Sequence, residues 1–132
     1  MANPVSTTCD QGAVQIRDAQ FADGVITFGG IATYKAGTIL ARDSSTNKLI
    51  AYVKGGSTNG NGIPKAILAE ELTSSGAGDL AGRVFVKGEF VKEKLIIQAD
   101  GSDTNIDAVV IDLLQDYGLT AVSAKQLAVL DN

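Results

Sequence analysis

From Asp23 onward, short β-forming runs are separated by glycines and small polar residues. Such frequent punctuation leaves little room for long helices and fits a chain that turns back repeatedly as strands. Val25-Ile26-Thr27-Phe28 stops at Gly29-Gly30. Ile31, Thr33 and Lys35 follow, closed by Ala36-Gly37, and Thr38-Ile39-Leu40-Ala41 is a short strand. Arg42 to Asn47, "RDSSTN", reads as a turn, because its Asp, Ser and Asn side chains can bond their own backbone. Leu49 to Val53 is the returning strand. "GGSTNGNGIPKA", residues 55–66, connects it to Ile67-Leu68-Ala69. Thr73 to Gly82 reads as a second loop. Arg83 to Lys87 alternates cleanly, Gly88 interrupts, and Phe90-Val91 with Leu95-Ile96-Ile97 continues the β-rich stretch.

The period changes once. Ile106, Val109, Val110, Leu113, Leu114 and Tyr117 recur at helical spacing and define an apolar face that includes Leu113. Thr104 with Asp107 three residues later resembles a capping box and marks the start. Gly118 marks the end, with Leu119 placed to touch Leu114. Leu119 to Asn132 is expected to return as a final strand. The fold class is therefore mainly β with one α-helix in the C-terminal half (α+β). No repeated βα unit suggests a doubly wound sheet.

Residues 1–23 differ in composition. Pro4, Ser6, Thr7, Thr8, Gly12 and Gln20 are mixed with isolated apolar residues, and only Val14-Gln15-Ile16-Arg17 alternates as a strand would. This block is expected to be an N-terminal arm ordered weakly or on contact, with residues 24–132 as the folded domain. With 45% hydrophobic residues but no Trp, the core must come from Val, Ile, Leu and Ala. A chain of 132 residues can bury about two-thirds of its unfolded surface without staples. The lone Cys9 is read as a bystander in the arm.

Most chemistry is excluded by what the chain lacks. It has no histidine, which removes His-based triads and most transition-metal sites. The net charge is −4 and the eleven basic residues are scattered, so no direct nucleic-acid partner is expected. No apolar run reaches the ~20 residues of a membrane span, and no membrane partner is expected. The N-terminus lacks a signal-peptide pattern, which points to synthesis in a cytoplasm. The glycine-rich loop fails as a phosphate cradle: Asn61 stands where a Walker lysine belongs, and no helix follows. Ser45 and Lys48 have serine–lysine spacing but lie in a turn. Asp100, Asp103, Asp107, Asp112 and Asp116 miss the EF-hand pattern, because Asn105 and Ile111 occupy its Gly and Glu positions. Glu70 and Glu71 are adjacent and would face opposite ways in a strand. No catalytic residue, metal or cofactor is assigned.

Three stretches in register carry a family resemblance. "YKAGTILARDSSTNKLIAYVKGG" from Tyr34, "AILAEELTSSGAGDLAGRVFVKGEFVKEKL" from Ala66 and "IDAVVIDLLQDYGLTAV" from Ile106 resemble successive parts of the bacteriophage lambda-type head decoration, or capsid cement, proteins. Ala66 departs from the glycine common before the family's Ile-Leu step, and both ends look longer than the common core. The resemblance implies a compact β-clip or β-tulip-like domain with an extended N-terminal arm. It implies a non-enzymatic structural protein on the outer surface of the virion, synthesised in the bacterial host cytoplasm. Its implied partners are the major capsid protein and two further copies of itself, as a homotrimer at least on the capsid. The arm is where the family meets the capsid. Val14, Gln15, Ile16 and Arg17 are accordingly expected to add as a strand, with Phe21 anchoring the junction. Two other readings stay open: a small ligand-binding β-clip module, which shares the "kaGt" strand, and a trimeric nucleotide hydrolase on a related fold.

Overall fold

The computed structural model describes residues 15–123, with side chains from Ala19 onward. Among the described residues eight strands and one helix follow in order: β1 Gln15–Phe28, β2 Ala32–Tyr34, β3 Ile39–Arg42, β4 Leu49–Ala51, β5 Pro64–Leu68, β6 Leu72–Ser74, β7 Gly78–Val91, α1 Ala108–Asp116 and β8 Leu119–Val122. A 3₁₀ turn, Lys92–Lys94, follows β7. The protein is thus mainly β with one helix in its C-terminal half.

The main sheet runs β1-β4-β3-β5-β7-β8, and β1 pairs with β7 as well. That extra pairing closes the first five strands into a small barrel. β3 and β4 form the hairpin expected across the polar turn, with Ala41 opposite Ile50. Asp43 shapes that turn by accepting from the backbone N–H and the hydroxyl of Ser45. β2 and β6 make a separate two-stranded ribbon.

The centre of the sheet is buried on both faces. Ile26, Phe28, Leu40, Leu49, Ala66, Leu68 and Val84 fill one core. Ile39, Ala41, Ile67, Ala69, Phe85 and Phe90 point the other way, into a core covered by Leu95, Ile97, Ile106, Val110, Leu114 and Leu119. Alternate residues of β3, β5 and β7 therefore serve two cores. This explains why "TILA" and "AILA" are apolar without alternation. The interior is not purely aliphatic as the composition suggested, because Tyr52, Phe28, Phe85 and Phe90 are its largest fully buried side chains.

Several local expectations change. The loop expected over Thr73–Gly82 is shorter, because β6 uses Leu72–Ser74 and β7 begins at Gly78. Neither Gly82 nor Gly88 ends β7. A Cβ on Gly82 would lie 2.7 Å from the Leu72 side chain, and one on Gly88 2.7 Å from the Ala19 backbone. These glycines admit neighbours rather than stop the strand. Leu95–Ile97 is no regular strand; Ile96 makes one bridge with Thr38.

The helix also starts later than expected. Asp107, not Thr104, is its N-cap, accepting from the N–H groups of Val109 and Val110. Thr104 instead pairs its hydroxyl with Ser102. Val110 and Leu114 are the buried helix residues, whereas Leu113 is half-buried and Val109 lies open to solvent. The true apolar face is narrower than the spacing implied. Gly118 does take a left-handed conformation, φ 83°, and Leu119 enters the core beside Leu114. β8 then runs parallel to β7. The remaining expected strand residues, Leu127 to Leu130, lie outside the described residues, as does Cys9.

Candidate functional site

The expected boundary at Asp23–Gly24 falls inside β1. This strand runs unbroken from Gln15 and pairs antiparallel with β7 along its length, from Gln15 opposite Phe90 to Phe28 opposite Gly78. Residues 15–23, expected to pair only on contact with a partner, already have one here. The bonding partner is the long β7, whose glycines let β1 approach: Gly88 has φ 139°, and Ala19 packs directly against it. A side chain at position 88 would close that space.

The ribbon has two parts. From Phe21 to Phe28 the register is regular, and between Gln15 and Phe21 it slips three times. Such bulges bend and twist a strand. Among the described residues, β1 meets β4 only at Ile26 opposite Leu49. Among the described residues its outer edge from Gln15 to Gly24 is thus unpaired, and an unpaired edge offers backbone groups to another strand.

Phe21 stands where the two parts join. Its ring lies 4.8 Å from Phe85, which lies 5.1 Å from Phe90, so an aromatic ladder leads from the surface into the core. Phe85 is fully buried, while Phe21 remains 42% exposed. The Arg83 guanidinium lies 5.5 Å from the Phe21 ring centre. Phe21, Ala22, Asp23 and Arg83 line a small depression beside the open edge. Of the expected contact residues, Phe21 lies on β1 where the regular register begins, packed against Phe85. Gln15, Ile16 and Arg17 lie on β1, and Val14 falls outside the described residues. Sequence reasoning missed Arg83, whose partner is visible only from the cross-strand register.

Charged groups elsewhere act as ties. Asp79 accepts from Lys48 and Thr27, and both contacts hold its carboxyl below the usual range. Asp107 is lowered by Lys54 and by its helix-capping bonds. Asp43 is lowered by Ser45. Ser45 and Lys48 do not meet as a nucleophile pair, because Ser45 donates to Asp43 and Lys48 binds Asp79. Lys35, Glu71, Glu93, Lys94 and Asp103 border an open cleft of mixed charge. Among the described residues no cluster is placed to hold a metal ion, and no helix is long and apolar enough to cross a membrane.

The family model for bacteriophage lambda head decoration protein D matches residues 5–119. The chain belongs to that family. This head decoration protein is accordingly a structural component of a phage virion, and its partner is the phage capsid. The matched span includes the whole of β1 and extends upstream of it. No curated protein matches the chain.

Proposed function

We propose that this head decoration protein binds the outer surface of the expanded head and stabilises the shell against the pressure of packaged DNA. It acts as trimers at threefold and quasi-threefold positions, on the major capsid protein, after synthesis in the bacterial host cytoplasm. The observation that supports this reading is the open outer edge of β1 in a member of the decoration family. An added strand binds mainly through backbone hydrogen bonds, so its sequence demands are light.

In this mechanism residues 14–17 carry the contact and Phe21 fixes their direction. The bulged end of β1 projects the contact segment, while the regular part from Phe21 to Phe28 stays locked to β7. Deleting residues 1–20 then removes the contact and spares the regular ribbon. The expected result is an intact circular-dichroism spectrum with loss of binding to expanded capsids. Val14→Pro or Ile16→Pro weakens binding more than alanine does, because proline removes a ladder donor. Equal capsid binding by the truncated and full-length proteins overturns the β1 contact. A symmetric dimer in an image reconstruction of decorated heads overturns the trimer.

A further inference from the structure

The loop that follows Tyr52 contains two Asn-Gly steps, Asn59-Gly60 and Asn61-Gly62. Asparagine is among the thermolabile residues. Before glycine it is especially open to ring closure, because no Cβ shields the following amide nitrogen. The two steps are two residues apart in one loop, yet their surroundings differ.

Asn61 is held on three sides. Its N–H donates to the Thr58 carbonyl at 3.0 Å, and its carbonyl accepts from Val53 at 2.8 Å. Its side-chain oxygen accepts from the Thr58 N–H at 3.2 Å. Gly62 packs so closely on Gly56 that a Cβ on either would collide: with the Gly56 carbonyl in one case, with the Asn61 amide in the other. Asn59 sits at the tip instead. It is exposed, in a left-handed conformation with φ 52°, and its backbone carbonyl accepts from Ser44 at 2.9 Å.

We infer that Asn59 is a spontaneous modification site, converting to aspartate or isoaspartate while Asn61 is protected by its packing. The Gly60 nitrogen attacks the Asn59 side-chain carbonyl carbon. A C–N bond forms, the amide C–N bond breaks, and ammonia leaves with the Gly60 proton, giving a succinimide. Solvent water then opens the ring at one of its two carbonyls, returning aspartate or isoaspartate. Either product adds a negative charge at the loop tip. The isoaspartyl product also lengthens the main chain by one methylene and displaces the carbonyl that holds Ser44, loosening the loop from the β3–β4 turn.

The test is incubation of the full chain in mildly alkaline buffer, followed by digestion and fragment mass spectrometry. A parallel sample is kept in concentrated urea. The native chain is expected to accumulate product at position 59 ahead of position 61, with the difference shrinking in urea. Gly56→Ala, whose methyl displaces the Asn61 side chain, is expected to raise conversion at Asn61. Conversion at Asn61 first, or at both together in the native chain, overturns the inference. So does an unchanged ratio in urea, which would assign the preference to neighbouring residues rather than to the fold.

Discussion

At the Phe85 rung of β7, one neighbour is Ile67 of β5 and the other is Phe21 of β1. Ile67 is fully buried, while Phe21 is 42% exposed. At the next rung Leu68 is buried and Ala22 is exposed. One strand thus carries two different borders. Toward β5 the sheet is sealed between two cores, and toward β1 it is half open and ends in bulges. The first border is sealed inside the fold; the second lies at the surface.

The largest expected contrast comes from truncating each neighbour. Ile67→Ala opens a cavity under α1 and is expected to cost about 2–5 kcal/mol in denaturant unfolding. The next change tests whether the glycine of β7 sets the open border. Gly88→Ala places a Cβ against the Ala19 backbone and forces an L-residue to φ 139°. A loss on the order of 1–3 kcal/mol is expected from the strain. Hydrogen exchange should accelerate in residues 15–20 more than in β5. Equal acceleration in both strands would erase the distinction between the borders.

Phe21→Ala removes one aromatic contact, with an expected cost of about 0.5–1.5 kcal/mol beyond lost area. Its effect on capsid binding should exceed its effect on melting temperature. The smallest effect is electrostatic. Asp79 ties Thr27 of β1 and Lys48 to the start of β7, and its carboxyl is held low. A carboxyl lowered in the folded state adds stability above the unfolded value of about 3.9, lost as pH falls through its folded value. Acid should therefore loosen the Phe28 end of β1 before it touches β5, whose strand contains no carboxylate. Asp79→Asn should abolish that difference in an exchange experiment run across the acid range.

The two borders were unequally legible in the sequence. Thr38–Ala41, the "RDSSTN" turn and Leu49–Ala51 are local, and each residue's own preference agrees with its place. Gly118 is legible for the same reason. The first half of β1 is not, because Asp18 and Gln20 fall where the alternation begun by Val14 and Ile16 calls for apolar residues, and the bulges break its period. Gly82 and Gly88 look like stops until the neighbours that fill their missing side chains are known. The helix start was misplaced by three residues because Thr104 and Asp107 both suit a cap, and only the backbone path distinguishes them. Its face was drawn too wide, since spacing cannot tell Leu113 at a shoulder from Leu114 beneath the helix. The family stretches made the role readable, whereas the open edge of β1 required the cross-strand pairing.

The β1–β7 ribbon also sets an order of events in time. Gln15 must wait for Phe90, and Phe28 for Gly78. As the chain leaves the ribosome, β1 emerges early and finds no partner until most of the domain has been made. Pairings between such distant residues are slow to form, because the intervening loop must be closed first. The β3–β4 hairpin is local and needs no such delay. The barrel is therefore closed late, by the strand made first, and its open edge takes shape only once β7 has been made.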